Sequence, residues 1–277
     1  MKRKNLCLII SIDIKESLRS KWFLIYSLVF GGIIALFFIT GITESKVQGF
    51  SGLSRLLLIF IEVCIVILPI FILISTVRTI VNDRDNNVLE YLLSFPISLR
   101  DYYFGRFVGR FISVVIPIFG ALVLALVWAV TKGAEIPWGI FFYYIALMIG
   151  LCINFLGFSF FISSCVKNQE VALGISFFIW IMLLAFIDIL LIGMISRGSA
   201  NPELIFSVAL INPLQVFRIG AISLFDPELA VIGPAAYFVL DNFGKVFFSF
   251  YAILYPMILG IVFSLFGFIL FKKRDLV

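Results

Sequence analysis

The sequence predicts an all-α polytopic membrane protein with six transmembrane helices. Three observations lead to this fold class: 62% of the 277 residues are apolar, only 13% are charged, and the apolar residues fall into long runs. A soluble domain is about a quarter charged, so this chain has too little charge to cover a surface in water. The 33 Phe residues also exclude an intrinsically disordered chain.

Each apolar run is long enough to cross the hydrocarbon core of a bilayer, which takes about 20 residues. An even number of spans places both termini on one side of the membrane. If that side is cytoplasmic, most Lys and Arg residues face the cytoplasm, as the positive-inside rule requires. We therefore expect one domain, 1–277, in the cytoplasmic membrane with both termini inside. The predicted spans are 22–43, 56–77, 111–131, 136–166, 171–196 and 246–271.

Two predicted spans contain a carboxylate. Glu62 lies in the second span and Asp188 in the fifth, each in the outer half of its helix. Charges inside a membrane are costly and commonly face a cavity. The two residues could line one outward-facing cavity, or nearby hydroxyls could hold them without any role in transport.

The first 21 residues are predicted to form an amphipathic helix on the inner membrane surface. Leu6, Ile10, Ile14 and Leu18 recur every four residues and form one apolar stripe. The alternative is an ordinary extension of the first span.

The cytoplasmic loop 82–110 contains a second short helix. Asn82 or Asp83 can cap it, an apolar stretch follows, and Pro96 ends it. An apolar helix outside the bilayer must pack on its own spans or dock into a partner. The candidate contact residues are Asp83, Asp85, Leu89, Glu90, Leu92, Leu93, Phe95 and Pro96.

The external segment 197–245 is too long for a turn and too apolar for an exposed loop. Prolines interrupt it repeatedly, so we expect short helices packed at or partly into the outer leaflet, forming a small cap or gate.

Several kinds of site are missing from the sequence. The chain has no His, no GxxxxGK[ST] motif and no GxSxG motif, which argues against an enzyme and against ATP binding by a P-loop. The basic residues form no single cluster, so no nucleic-acid partner is expected. Cys64 and Cys152 could hold a soft metal, but buried Cys is more often an inert small hydrophobe, and we expect no metal.

Two glycine pairs allow close approach of helices. These are Gly31-Gly32 and Gly105-x-x-x-Gly109. From the residues alone, a homodimer interface and packing within one chain are equally good uses of them.

The order of these parts resembles the permeases of ABC-2-type exporters. The resemblance is carried by Leu68-Pro69-Ile70, the acidic turn 82–85, the stretch 89–98 and Gly105-Arg106-Phe107-Val108-Gly109. It implies that the helix after residue 88 is a coupling helix that docks on a separate ATPase subunit, and that ATP and Mg²⁺ bind to that subunit and not to this chain. The chain departs from the family at Asn87-Val88, where Gly-Thr is frequent, and at Arg106, where Lys is frequent.

In the external segment, Asn201-Pro202-Glu203-Leu204 and Ile211-Asn212-Pro213-Leu214-Gln215-Val216-Phe217-Arg218 resemble one subgroup of that family, the permeases that serve maturation of the copper sites of nitrous oxide reductase. The similarity implies a homodimer with two ATPase subunits and a periplasmic accessory protein. Alternatives are an exporter of lipid, peptide or antibiotic, a membrane anchor, or an intramembrane enzyme. The candidate contacts for the external partner are Asn201, Pro202, Glu203, Asn212, Pro213 and Arg218.

Overall fold

A computed structural model describes residues 2–39, 52–95, 97–131, 138–186, 209–223 and 244–274, together with the single positions 189 and 193. Within these ranges all regular secondary structure is helical, as predicted. The helices are α1 (Lys2–Leu18), α2 (Lys21–Ile39), α3 (Gly52–Asp85), α4 (Val88–Leu93), α5 (Leu99–Thr131), α6 (Trp138–Cys165), α7 (Gln169–Ile181, continued by a π-helix at Met182–Phe186), α8 (Pro213–Ile222) and α9 (Lys245–Arg274).

Among the described residues, four helices are long and apolar enough to cross a membrane: the stretches Val63–Asp85, Leu99–Trp128, Trp138–Cys165 and Val246–Lys273. They correspond to the second, third, fourth and sixth predicted spans, and they make the chain a multi-pass membrane protein. The predicted first and fifth spans correspond to shorter apolar helices, Lys21–Ile33 and Gln169–Ala185. The count of six spans therefore stays a prediction.

Two predicted boundaries near α4 are wrong. The third span was expected to begin at Phe111, but α5 begins at Leu99 and runs without a break, because the polar residues of its first turns are paired inside the protein. Asn82 and Asp83 do not cap α4. They belong to the last turn of α3, which ends at Asp85, and Asn87 is the residue before α4.

The tightest packing in the bundle lies between α6 and α9. A Cβ atom on Gly157 would collide with the carbonyl oxygen of Gly260, so the two backbones touch where both residues are glycine. The amide of Asn154 donates a hydrogen bond to the carbonyl oxygen of Pro256, at 2.9 Å. This bond satisfies a buried side chain that would otherwise be costly in an apolar setting.

The bundle has two ends. The α4 end carries α1, α4 and the C-terminal turns of α3, α6 and α9; there Arg84 donates to the Val166 carbonyl at 3.4 Å. The α8 end carries α8 and the N-terminal turns of α9, where Tyr251 donates to the Leu210 carbonyl at 2.9 Å.

Helix α1 does not present the face that was expected. Ile9, Asp13 and Ser17 are its buried residues, whereas the predicted stripe is half-buried and ends in the exposed Leu18. The buried face packs on α5. A simple apolar stripe facing lipid is therefore the wrong description of α1, because its partner is a polar stretch of protein.

Candidate functional site

Helix α4 has one buried and one exposed face. Leu89 is buried in a cluster with Ile80, Tyr102 and Phe271, and Leu92 packs partly against the same cluster. On the other face, Tyr91 is 65% exposed and Phe95, just after the helix, is 48% exposed. Their rings meet edge to face, with 5.3 Å between centroids. Two exposed aromatic rings that pack against each other form the kind of surface that anchors a protein partner.

The turn into α4 depends on Asn87. Its backbone has φ 56° and ψ 16°, in the left-handed region. Only Gly and, less readily, Asn or Asp adopt that region without a large cost. The family that this chain resembles often has Gly at this position. Asn87 fits there because asparagine also tolerates the left-handed backbone conformation. This turn sets the direction in which α4 leaves α3.

Arg106 lies at the centre of a buried ion cluster that joins α1, α3 and α5. Its Nη1 atom is 2.9 Å from Asp13 Oδ1 and 2.5 Å from Glu16 Oε2, and its Nη2 atom is 2.7 Å from Asp83 Oδ2. The Tyr102 hydroxyl also donates to Asp83 Oδ2, at 2.5 Å. Only 4% of the Arg106 side chain is exposed. The surrounding carboxylates supply the pairing that a buried guanidinium requires.

A second arginine completes what we call the Arg106 cluster, namely Asp13, Glu16, Asp83, Tyr102, Arg106 and Arg110. The Nε atom of Arg110 lies 3.3 Å from Asp13 Oδ1. Arg106 and Arg110 are one turn apart on α5, so both point towards α1.

The Gly105-x-x-x-Gly109 pair explains how α1 approaches so closely. A Cβ atom on Gly105 would lie 2.8 Å from Ile9 Cγ2, and one on Gly109 would lie 2.7 Å from Asp13 Cβ. The two glycines therefore serve packing of α1 on α5 within one chain. Gly31 and Gly32, by contrast, have no atoms within contact distance of an added Cβ in the described part of the chain.

The two carboxyl groups of α1 shift in opposite directions. Burial raises the pKa of Asp13, and the nearby Arg110 and Arg106 only partly oppose it. Burial also disfavours the ionised form of Glu16, but the charge and hydrogen bond of Arg106, together with Arg110, outweigh it and lower the pKa of Glu16. Glu16 is thus a carboxylate at neutral pH.

The neighbouring helix α7 is tied to the same end of α3. The Gln169 amide donates to Asn82 Oδ1 at 3.1 Å and to Asp85 Oδ2 at 3.3 Å. Asn168 caps α7 by accepting a hydrogen bond from the Glu170 N–H, at 2.8 Å. The last turn of α3 therefore contacts α5 and α7, and is linked to α1 through Arg106, immediately before the turn into α4.

At the α8 end, Asn212 connects α8 with the π-helix that continues α7. Its Oδ1 accepts from the Leu214 N–H at 3.0 Å and so caps α8, while its Nδ2 donates to the Leu183 carbonyl at 2.8 Å. Leu183 lies in the π-helix that continues α7. π-Helices recur at functional sites, and their altered hydrogen-bond pattern leaves carbonyl groups in need of a partner. Pro213 is buried at the first turn of α8, and Arg218 is half-buried.

The predicted site residues are thus distributed unequally. Asp83 is buried in the Arg106 cluster, Asp85 bonds to Gln169, and Glu90 and Phe95 are exposed beside Tyr91. Leu89 faces the interior. The side chains of Glu62 and Leu93, and the residues Pro96, Asp188, Asn201, Pro202 and Glu203, lie outside the described residues.

Sequence reasoning missed the Arg106 cluster. The signals were Asp13, which interrupts an apolar run, and two arginines each preceded by a glycine of the Gly105-x-x-x-Gly109 pair. Tyr91 was also not singled out, although it is the one aromatic residue of α4 and is 65% exposed. Within the described residues no group of three or more His, Cys, Asp and Glu side chains could hold a metal ion.

Comparison with known proteins places this chain in a family. The family model for ABC-2 family transporter proteins matches residues 7–276. The "Probable ABC transporter permease protein NosY" of Stutzerimonas stutzeri is 24% identical over 229 residues, covering 80% of this chain and 82% of that protein. The protein of the same name from Pseudomonas aeruginosa is 23% identical over 224 residues, covering 79% and 82%.

Proposed function

The chain belongs to the ABC-2 family of transporter proteins, and from that premise we propose that it passes the motion of a separate ATPase to the membrane through α4. As a permease it is a membrane component without catalysis of its own, which removes the intramembrane enzyme as an alternative. An ABC ATPase is the partner that the family implies in general.

The observation that supports this role is the exposed aromatic pair on α4. Tyr91 and Phe95 present apolar area beyond the bundle, and Glu90 lies beside them with its side chain exposed. Apolar anchors with a charged rim are typical of a docking surface between subunits. We propose that the ATPase covers these three residues, with ATP and Mg²⁺ bound on that subunit.

The opposite face of α4 connects this surface to the helices that span the membrane. Leu89 packs against Tyr102 of α5 and Phe271 of α9, and Asp83 of the preceding turn is held by Arg106. A displacement of α4 would therefore move α3 and α5 together, since buried ion pairs resist separation. Asp83 acts in this proposal as a positioning residue behind the surface, and Asp85 does so through Gln169.

For the pathway, we propose maturation of the copper sites of nitrous oxide reductase. The similarity of the external segment and the two NosY permeases support this choice. The same resemblance supports a homodimer in the cytoplasmic membrane, both termini in the cytoplasm, and a periplasmic accessory protein at the α8 end. Asn212, Pro213 and Arg218 would position α8 for that partner, and Glu62 and Asp188 remain candidates for a cavity.

The docking proposal is tested by co-purification from native membranes in mild detergent. Replacement of both Tyr91 and Phe95 by Ser should remove the ATPase from the eluate and abolish ATP turnover, while the permease stays folded. Trp138→Ser, which changes an exposed aromatic of α6 far from α4, is the matched control and should retain the ATPase. An equal yield of ATPase with both variants would contradict the proposal.

The pathway is tested separately by the metal content of nitrous oxide reductase. In a strain that lacks this chain, the purified reductase should be deficient in copper, and the wild-type chain should restore it. A fully loaded reductase in the deletion strain would contradict the pathway and favour an exporter of lipid, peptide or antibiotic.

A further inference from the structure

A polar crevice runs between α1, α3 and α5 at the α4 end, next to the Arg106 cluster. One part, about 210 Å³ in volume, is lined by the bases Arg78 and Arg110, the hydroxyls of Ser75 and Thr79, and the acids Glu16 and Asp83. Both acids are already paired with Arg106. Within the described part of the chain no carboxylate lies within ion-pair distance of Arg78. Arg78 therefore presents to the crevice a positive charge that no acid of the described residues pairs with.

A second part of the crevice continues from Ser75 and Arg110 towards the middle of the membrane. It has a volume of about 20 Å³ and is lined by the rings of Phe23 and Phe71 and by the hydroxyls of Ser17, Ser20 and Ser113. Phe23 lies in the first turn of the apolar helix α2, and Phe71 lies two turns deeper on α3 than Arg78. The deeper part thus remains largely polar and has room for about one water molecule.

Two buried hydroxyls that line the crevice have no hydrogen-bond partner among the described residues. Ser17 is 4% exposed and Thr79 is 5% exposed, and the Oγ of the first and the Oγ1 of the second are both unpaired. A buried polar group without a partner costs free energy, and such groups are normally satisfied. Ser17 lines the deeper part, which has room for one water molecule, whereas Thr79 lines the outer part, where a larger polar occupant fits.

The mouth of the crevice adds more positive charge. Lys15 of α1 and Arg19, which follows the helix, line an open hollow together with Glu16 and Ser20, and Ser20 also lines the deeper part. Basic pockets between membrane helices bind anionic lipid headgroups. Lys15, Arg19 and Arg78 would repel a cation, and the acids Glu16 and Asp83 are already paired with Arg106. The charges therefore favour an anion as the occupant.

We propose that this crevice is a binding site for an anionic phospholipid. Its phosphate accepts hydrogen bonds from Arg78 and Thr79 in the outer part of the crevice, and its acyl chains remain in the bilayer. Since Asp83 and Glu16 also belong to the Arg106 cluster, the lipid contacts the residues that hold α1, α3 and α5 together. The site is independent of the ATPase contact on the exposed face of α4.

The test is native mass spectrometry of the full-length chain, exchanged into mixed micelles with phosphatidylglycerol or phosphatidylcholine of the same acyl chains. The wild type should retain phosphatidylglycerol in preference to phosphatidylcholine. Arg78→Gln should lower that retention by about five-fold, the effect of one basic residue near anionic lipid. Arg100→Gln removes an exposed arginine of α5 outside the crevice and should retain the lipid as the wild type does.

A second variant separates binding from folding. Thr79→Val removes the unpaired hydroxyl of the outer part, which should leave the melting temperature in phosphatidylcholine unchanged or raise it. The same variant should lose the stabilisation by phosphatidylglycerol. Equal retention by Arg78→Gln and Arg100→Gln would overturn the proposal. If inorganic phosphate stabilised the wild type as strongly as phosphatidylglycerol does, the site would bind free phosphate, and the proposal of a lipid would be wrong.

Discussion

Arg106 Nη2 and Asp83 Oδ2 lie 2.7 Å apart in the interior, only a few residues before the helix whose aromatic face points out of the bundle. This ion pair connects α5 to the end of α3. Because Asp13 and Glu16 bind the same guanidinium, the pair also includes α1. The exposed surface of α4 is thus attached to a rigid support formed by three helices.

Removal of Arg106 should be more damaging than its replacement by another base. Arg106→Ala leaves three carboxylates without their common partner, and breaking a buried pair costs about 3–5 kcal/mol. Arg106→Lys keeps the charge but cannot reach three carboxylates in a fixed fork, so its melting temperature should fall between those of the wild type and Arg106→Ala. Thermal unfolding in detergent checks the order, and identical melting curves for the three proteins would show that the cluster adds no stability.

Glu16 should make the stability of the protein depend on pH in the acid range. Its pKa is lowered in the folded protein, so its contribution is complete above the ordinary value of 4.5 and disappears as the pH falls through the lowered value. The difference in melting temperature between wild type and Glu16→Gln should be positive at pH 7 and vanish at strongly acid pH. The side chain is half-exposed, so the difference should be modest. A difference that does not change with pH would contradict the assignment.

Larger residues at Gly109 should separate α1 from α5. In Gly109→Val the new Cβ would lie 2.7 Å from Asp13 Cβ, and overpacking of this kind costs about 1–3 kcal/mol. Gly120→Val, on the same helix, has nothing within 4 Å of the added Cβ and serves as the control. Protease cleavage within α1, monitored over time, should accelerate in the first variant and not in the second.

The turn at Asn87 should tolerate glycine and reject branched residues. With φ at 56°, Asn87→Gly should be neutral, and Asn87→Val should cost about 1–2 kcal/mol because its side chain collides with the following carbonyl. ATP turnover of the purified complex should fall in Asn87→Val and persist in Asn87→Gly. Equal turnover of the two variants would show that the direction of α4 does not depend on this residue.

The parts of the fold that the sequence predicts well are those with long apolar runs. The helices α3, α5, α6 and α9 each satisfy the length and hydropathy that a bilayer requires, and these properties need no knowledge of tertiary contacts. The continuation of α5 back to Leu99 was not predictable in this way. Its first turns carry Arg106 and Arg110, and their polarity resembles a loop until their partners on α1 and α3 are known.

The same limit applies to the site. The apolar residues of α4 predict a buried or docked helix. Which side chains face the interior, such as Leu89, and which face outward, such as Tyr91, depends on the direction set by Asn87. Asp13 appears in the sequence as an interruption of an apolar run. Its burial against Gly109 and Arg106 depends on residues more than 90 positions away, which no local pattern includes.

The central claim is that an ATPase covers the exposed face of α4, and a photocrosslink from position 91 tests it most directly. A photoreactive phenylalanine analogue in place of Tyr91 should crosslink, in intact membranes, to a protein that carries a GxxxxGK[ST] motif. The same analogue at Trp138 should give no such product. A correctly inserted protein that crosslinks from position 91 only to lipid or to itself would contradict the claim.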